Sequence, residues 1–303
     1  MSKTLTKDVK KRAKDLGADL VGVASIERFE GAPKKFHPLT LLPKAKSIVS
    51  VAVRIPHGVL IPQKALVENY QYQIFGYGFL SHIRLNWIIF ELARFLEDKG
   101  FLSLPFPSFC ESQGDSYAGE TGARPFSWQY SEEGVQKGAS ISNRHAAVVA
   151  GLGELSISNL FLSPQFGAKQ RLATLITTAE LSQDPLFSGK ICDECMICEK
   201  VCPPGAIDGN ESVKYEIAGR KIEVAKLNKQ KCSWYHMGFS TKTFGNVELA
   251  EPETITWDYM TKMRKVIDDN SPLQTARTHS TFTPGGYCAM CLISCPKGEF
   301  NPK

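Results

Sequence analysis

The order of apolar and polar residues predicts alternating helices and strands over roughly the first two thirds of the chain. In residues 8–20 apolar side chains recur every three or four positions among lysines and an arginine, which is the period of an amphipathic helix. Residues 21–24, 48–53 and 172–177 are short apolar runs, typical of buried strands. Helices and strands in alternation favour an α/β or α+β fold for this part of the chain.

The strongest helix is expected over residues 81–99. Gly100 follows it, in the position where a glycine commonly ends a helix. A shorter helix is expected over residues 144–150, with Ser142 or Asn143 able to cap its first turn. The buried face predicted for the longer helix consists of Leu85, Ile88, Ile89, Leu92, Phe95 and Leu96.

Residues 105–142 break this regularity. The segment is rich in Gly, Ser, Glu and aromatic residues and is weakly periodic, as in a functional loop. After Gly189 cysteines become frequent, as in small domains held together by metal. We therefore expect two domains, residues 1–187 and residues 188–303.

Eight of the nine cysteines fall into two runs with distinctive spacing. Cys-x2-Cys steps wrap thiolates around one loop, and in two-cluster proteins the proline-flanked last cysteine of a run ligates the other cluster. Pro203 and Pro296 follow the last cysteine of each run. The spacing predicts two 4Fe–4S clusters. Cluster 1 is assigned Cys192, Cys195, Cys198 and Cys295, and cluster 2 is assigned Cys202, Cys232, Cys288 and Cys291.

Two other uses of these cysteines are weaker. Zinc sites use Cys-x2-Cys pairs, but a third cysteine at the same short spacing is unusual for a tetrahedral ion. Disulfides suit small secreted domains, and the N-terminus carries neither an apolar signal core nor twin arginines. No apolar run approaches the ~20 residues needed to span a bilayer. We therefore expect a cytoplasmic protein without a membrane contact.

Charge and motifs narrow the functional classes further. The formal net charge of +5 counts cysteines as neutral. Each oxidised cluster with its four thiolates carries about −2, which brings the loaded protein to about +1. Nucleic-acid binding gains little support from such a charge. The dinucleotide-binding, P-loop and zinc-hydrolase motifs G-x-G-x-x-G, G-x-x-x-x-G-K-[ST] and H-E-x-x-H are all absent from the sequence.

Residues 143–181, NRHAAVVAGLGELSISNLFLSPQFGAKQRLATLITTAEL, resemble the core of epoxyqueuosine reductases and reductive dehalogenases. Supporting similarity lies in residues 16–29, 41–54 and 91–101 and in the cysteine-rich tail. The resemblance covers most of the chain, apart from residues 105–142 and 208–287. It implies an α+β fold, in which a nitroreductase-like cobalamin-binding domain precedes a ferredoxin-like domain with two 4Fe–4S clusters.

The resemblance also implies a function. Electrons would pass from a low-potential ferredoxin- or flavodoxin-type donor through the clusters to a base-off corrinoid, which reductively cleaves a small-molecule substrate. Glycines allow close approach of the backbone to such a ring. The residues expected to bind the corrinoid are Arg144, His145, Gly151, Leu152, Gly153, Ser156, Ser158, Pro164, Phe166 and Gly167. The cationic pair Arg144 and His145 could also hold an anionic group.

The chain departs from the epoxyqueuosine reductase pattern in two places. The family's Asp, expected some fourteen residues before Ala150, is replaced by the segment Gln136-Lys137-Gly138, and its Gly-Lys-Asn by residues 156–158. A proton donor must then come from elsewhere in the loop, and Tyr117 and Asp115 rank first. The wider set is Glu111, Asp115, Tyr117, Glu120, Arg124 and Tyr130. Cys110, outside both runs, is interpreted as an inert thiol.

Two alternatives to a cobalamin-dependent reductase stay open. The chain could be an electron-transfer protein that reduces the corrinoid of a partner protein and binds no substrate. It could also reduce epoxyqueuosine in tRNA. One fold supports many functions, so the site has to decide between them.

Overall fold

The computed structural model describes residues 3–32, 34–64, 71–108, 128–131, 134–137, 141–236 and 288–298. Its strands are β1 (Leu20–Ser25), β2 (Ser47–Arg54), β3 (Ser103–Phe106), β4 (Trp128–Ser131), β5 (Gly134–Lys137), β6 (Glu154–Leu155), β7 (Phe161–Leu162), β8 (Gln170–Thr177), β9 (Ile207–Ile217) and β10 (Arg220–Leu227). Its α-helices are α1 (Lys3–Asp15), α2 (Pro38–Leu41), α3 (His57–Lys64), α4 (Leu85–Glu97), α5 (Asn143–Val149), α6 (Ile197–Lys200), α7 (Lys229–His236) and α8 (Met290–Ile293).

A four-stranded sheet in the order β1-β2-β8-β3 forms the centre of the fold. Every neighbouring pair is antiparallel, with Val21 opposite Val51, and Leu104 opposite Ile176. The strands predicted from the three apolar runs are confirmed within two residues at each end. Because the pairs are antiparallel, the fold is α+β rather than α/β.

Helix α4 covers one face of this sheet. All predicted face residues except Phe95 are at most 1% exposed, and Gly100 ends the helix with φ +85°. The expected start at residue 81 is wrong, because a π-helical segment, Tyr72–Arg84, leads directly into α4. Long π-helical segments are rare and often accompany functional sites.

Helix α5 lies against the sheet and carries a buried polar link to it. Ser142 caps the helix as predicted, accepting a hydrogen bond from the backbone N–H of His145 at 3.4 Å. Thr174 Oγ1 donates to Asn143 Oδ1 at 2.6 Å, and Asn143 Nδ2 donates to the carbonyl of Pro107 at 3.1 Å. Thr174 and Asn143 are fully buried.

Thr174→Val is therefore expected to lower the free energy of unfolding by about 1–3 kcal/mol, because it leaves the buried Asn143 Oδ1 without this donor. Denaturant unfolding followed by circular dichroism measures the change. Thr4→Val, on the exposed side of α1, should change it by less than about 0.5 kcal/mol. An equal loss in both variants would rule out the buried hydrogen bond as the cause.

A β9–β10 hairpin, which the sequence interpretation missed, lies over α5. Its turn is formed by Ala218 and Gly219, both with positive φ (50° and 76°). Ile222 and Val224 are buried in one cluster with Ala147 of α5. The hairpin thus covers the helix that opens the predicted cofactor-binding segment.

Side chains from both sides of the expected domain boundary share cores. Leu292 and Ile293 of α8 are buried together with Leu162 and with residues of the central sheet and α4. The boundary at residues 187 and 188 stays a prediction. No helix within the described ranges is long and apolar enough to cross a membrane.

Candidate metal centres

The four thiols assigned to cluster 1 border a single pocket with about 380 Å³ of empty space, part of it open to solvent. Burial, with smaller contributions from the nearby Cys192 and Cys195, raises the pKa of the Cys295 thiol, and burial and the same two residues raise the pKa of Cys198. The last cysteine of the second run therefore lies beside the first run, as the spacing predicts. The role of these thiols as ligands stays a prediction.

The thiols assigned to cluster 2 form a second group. Burial, with smaller contributions from the neighbouring Cys288, Cys232 and Cys202, raises the pKa of Cys291 to about 12. Burial, with smaller contributions from Cys288 and Cys202, also raises the pKa of Cys232. Cys291 and Cys232 are therefore protonated in the metal-free protein, so metal binding must displace their protons.

The two groups are neighbours. Cys291 also borders the pocket of the cluster 1 thiols and interacts weakly with Cys198. Among the described residues, no three His, Cys, Asp or Glu side chains are placed to hold a single metal ion. A 4Fe–4S cube differs from a single ion, since its four thiolates bind different irons.

The first cysteine run has an unusual backbone conformation, and two of its sulfurs accept hydrogen bonds from backbone amides. Glu194 and Met196 are left-handed (φ 58° and 56°), which is uncommon for residues other than glycine. Backbone amides point at two sulfurs: Ile157 N–H donates to Cys192 Sγ at 3.5 Å, and another amide donates to Cys202 Sγ at 3.2 Å. Hydrogen bonds to sulfur are one means by which proteins adjust cluster potentials.

Two buried charged side chains contact the backbone at the cysteines assigned to cluster 1. Glu154 Oε1 accepts hydrogen bonds from the amides of Ile191 and Cys192, both at 2.7 Å. Lys169 Nζ donates to the carbonyl of Cys295 at 2.7 Å and to a second carbonyl two residues further on at 2.9 Å. One side chain thus contacts each cysteine run.

Two glycines expected to border a corrinoid are packed closely against the protein's own backbone. A Cβ added to Gly151 would lie 2.1 Å from the carbonyl oxygen of Pro185, and one added to Gly153 would lie 1.9 Å from that of Leu162. Glycine is required at both positions because a side chain would collide with a peptide carbonyl, and their contact with a corrinoid stays a prediction.

Gly167 has the same kind of neighbour. Its Cβ would lie 2.0 Å from the carbonyl oxygen of Lys297, and its φ is +54°. Gly298 in turn lies against the backbone of Phe166, whose side chain is half-buried. The turn that contains Gly167 therefore receives the end of the second cysteine run.

Arg144 and His145 are also engaged within the protein. Arg144 donates to the backbone carbonyl of Asn159. His145 Nε2 lies 3.1 Å from the hydroxyl of Tyr215, and the two rings meet edge to face at 5.6 Å. Tyr215 belongs to the β9–β10 hairpin, so the hairpin is the neighbour of this pair.

The other residues predicted to contact the corrinoid lie in different environments. Ser156 and Ser158 border the pocket of the cluster 1 thiols, and the hydroxyl of Ser158 hydrogen-bonds the thiol of Cys198. Leu152 is half-buried and Pro164 is exposed. The sequence interpretation did not predict that these serines lie beside the cluster 1 thiols.

The proton-donor candidates cannot be placed. Tyr117 and Asp115 lie outside the described residues, as do Glu111, Glu120, Arg124 and Cys110, and the side chain of Tyr130 is not described either. They stay predictions.

The structure adds a group of aromatic and cationic side chains beside the cluster 2 thiols, which we call the aromatic–arginine group. It consists of Tyr72, Tyr77, His82, Arg171 and His236. The guanidinium carbon of Arg171 lies 4.5 Å from the ring centre of Tyr77 and 5.5 Å from that of Tyr72. The rings of His236 and Tyr77 are tilted by 56° with their centres 5.6 Å apart, and His236 Nδ1 lies 3.3 Å from the carbonyl oxygen of Cys288.

Burial fixes the protonation of this group. It raises the pKa of Tyr72 to about 12, although Arg171 lowers it. Burial, with a smaller contribution from Arg171, lowers the pKa of His236 to about 4. At neutral pH the tyrosine holds its proton and the histidine is neutral. No sequence spacing could have revealed the group, because Tyr72 and Arg171 come from a π-helical segment and a distant strand.

The fold is that of solved oxidoreductases of the class the sequence resembles. A selenomethionine-labelled epoxyqueuosine reductase superposes with a TM-score of 0.51 at 18% identity, covering 97% of this chain and 65% of that one. A reductive dehalogenase, described as B12-dependent in its dehalogenation, superposes with a TM-score of 0.52 at 18% identity, covering 89% and 34%. A catabolic reductive dehalogenase in complex with 3-bromo-4-hydroxybenzoic acid gives the same values.

The resemblance seen in the sequence is thus confirmed for the fold. This chain spans 65% of the epoxyqueuosine reductase and about a third of the dehalogenase. No protein-family model and no curated protein sequence matches it.

Proposed function

We propose that the chain is an iron–sulfur reductase that passes electrons through two 4Fe–4S clusters. The observation that carries this proposal is the division of eight thiols into two neighbouring groups of four, each with members from both cysteine runs. Clusters of this type have low potentials, commonly a few hundred millivolts negative, suited to difficult reductions.

Likeness of fold to a B12-dependent dehalogenase supports a finer proposal. The electron acceptor is a base-off corrinoid that reductively cleaves a small molecule, and the donor is a low-potential ferredoxin or flavodoxin. We place the acceptor side at cluster 2, because the aromatic–arginine group there includes a buried protonated tyrosine and a cation. Reductive cleavage needs a proton as well as electrons, and a tyrosine supported by arginine can supply it.

Five of the residues expected to border the corrinoid already contact other parts of the protein. A Cβ added to Gly151, Gly153 or Gly167 would lie about 2 Å from a peptide carbonyl oxygen, so these glycines pack closely against the protein's own backbone, and Arg144 and His145 contact other parts of the chain. We therefore assign no reaction step to a corrinoid held by these residues.

These contacts within the protein favour a second candidate function. An electron-transfer protein that reduces the corrinoid of a partner needs the two clusters but no cofactor pocket of its own. The same eight thiols and the same donor serve in both proposals, so the distinction is whether cobalt is retained.

Metal content separates the two candidates. After anaerobic reconstitution of the full chain with iron, sulfide and excess hydroxocobalamin, followed by desalting, we expect about eight irons per chain. About one retained cobalt would support the reductase with its own corrinoid, and absence of cobalt would support the electron-transfer protein. Substantially fewer than eight irons, with zinc bound instead, would contradict both proposals.

A further inference from the structure

Two buried side chains of opposite charge contact the backbone at the cysteines assigned to cluster 1. Glu154 is 8% exposed and Lys169 is 6% exposed. Glu154 contacts the first cysteine run and Lys169 contacts the second. Charged residues are seldom buried without partners, because burial costs several kcal/mol per ion.

Glu154 belongs to β6, and the hydrogen bonds that its carboxylate accepts come from backbone amides. A single oxygen, Oε1, accepts from both Ile191 and Cys192. The arrangement fixes the entry to the first cysteine run and places a negative charge next to a predicted ligand.

Lys169 precedes β8 and donates to two carbonyls at the end of the second cysteine run. Its ammonium group therefore places a positive charge next to a predicted ligand, where it favours negative charge. A role in packing alone would not require an ammonium group at this position, since an apolar side chain avoids the cost of burying charge.

We propose that Glu154 and Lys169 are positioning residues for cluster 1 that also set its reduction potential in opposite directions. Reduction adds an electron and hence negative charge, so a nearby carboxylate opposes it and a nearby ammonium favours it. Both effects are strong where water is excluded. This inference rests on the proposed presence of the clusters, and not on the identity of the electron acceptor.

The test is a potentiometric titration of the reconstituted full chain, with the spectra of the two clusters followed separately. In Glu154→Gln the amide oxygen can still accept both hydrogen bonds, but the charge is gone. We expect the ratio of reduced to oxidised cluster 1 at a fixed potential to rise about tenfold, an upward shift of about 59 mV for one electron. In Lys169→Met we expect a shift of similar size downward, with the potential of cluster 2 changed much less in both variants.

Glu180→Gln and Lys46→Met are the matched controls. These residues form a surface ion pair at 3.6 Å with side chains 54% and 59% exposed, and solvent screens such charges. Potentials that move equally in the controls, or that stay unchanged in variants with filled clusters, would overturn the inference while leaving the proposed function intact. Wild-type protein that binds no iron would instead overturn the proposed function.

Iron content covers the case of incomplete loading. A variant with about four irons, and with the signature of cluster 2 retained, would support the positioning role. The charge-conserving variants Glu154→Asp and Lys169→Arg should then restore filling. Their failure to do so, with the apo-protein still folded, would overturn it.

Discussion

Cys295→Ala is expected to abolish the same cluster as Cys198→Ala, although the two residues belong to different cysteine runs. Each substitution should lower the iron content from about eight to about four per chain. The reason is geometric, because Cys295 and Cys198 border one pocket and share Cys192 and Cys195 as neighbours. Iron analysis and spectra of the reduced protein measure the effect.

The cysteines assigned to cluster 2 provide the complementary test. Cys202→Ala should remove the cluster that Cys288→Ala removes, and the spectrum that remains should be that of cluster 1. Cys110→Ala should keep about eight irons, since this cysteine is outside both runs. If Cys295→Ala and Cys288→Ala left the same spectrum, the predicted crossing of the last cysteines would be wrong.

Gly167→Ala is expected to lower the free energy of unfolding of the iron-loaded protein by about 4 kcal/mol. Left-handed φ at a residue with a side chain costs about 1–3 kcal/mol, and forcing atoms into a packed site costs a similar amount. Here the new Cβ would lie 2.0 Å from the backbone oxygen of Lys297. The end of the second cysteine run must move away, and we expect iron to be lost from cluster 1 first.

Gly100→Ala is the matched control for this variant. Gly100 also has positive φ (+85°), but an added Cβ would meet nothing within 4 Å. It should cost about 1–2 kcal/mol and leave the iron content unchanged. Urea unfolding and iron release from both variants make the comparison. Equal destabilisation would show that backbone strain, and not contact with the cysteine segment, is responsible.

Local patterns predicted the parts of the fold that local forces determine. The buried runs that became β1, β2 and β8, the face of α4 and the cap at Ser142 follow from apolar period and capping chemistry. The assignment of the thiols to two clusters also rests on local pattern, because short cysteine spacings restrict which sulfurs can share a cluster, and it stays a prediction. The resemblance to a known family predicted the fold.

Contacts between distant segments could not be predicted in this way. Gly151 and Gly153 pack closely against peptide carbonyls, a contact that the sequence does not reveal, and their contact with a corrinoid stays a prediction. The aromatic–arginine group is assembled by tertiary packing and leaves no spacing to detect. The β9–β10 hairpin is different, since its alternating apolar and polar residues around Ala218 and Gly219 were a readable hairpin signal.

The crossing of the last cysteines has a consequence for the biogenesis of the protein. Ribosomes release the chain from its N-terminus, so Cys192, Cys195 and Cys198 emerge long before Cys295, and Cys202 long before Cys288 and Cys291. Neither ligand set is complete until the segment that contains α8 has been synthesised and has packed beside Leu162. With the proposed ligand sets, iron–sulfur insertion is therefore expected to be a late event, and the nascent thiols are expected to need a reducing environment until it occurs.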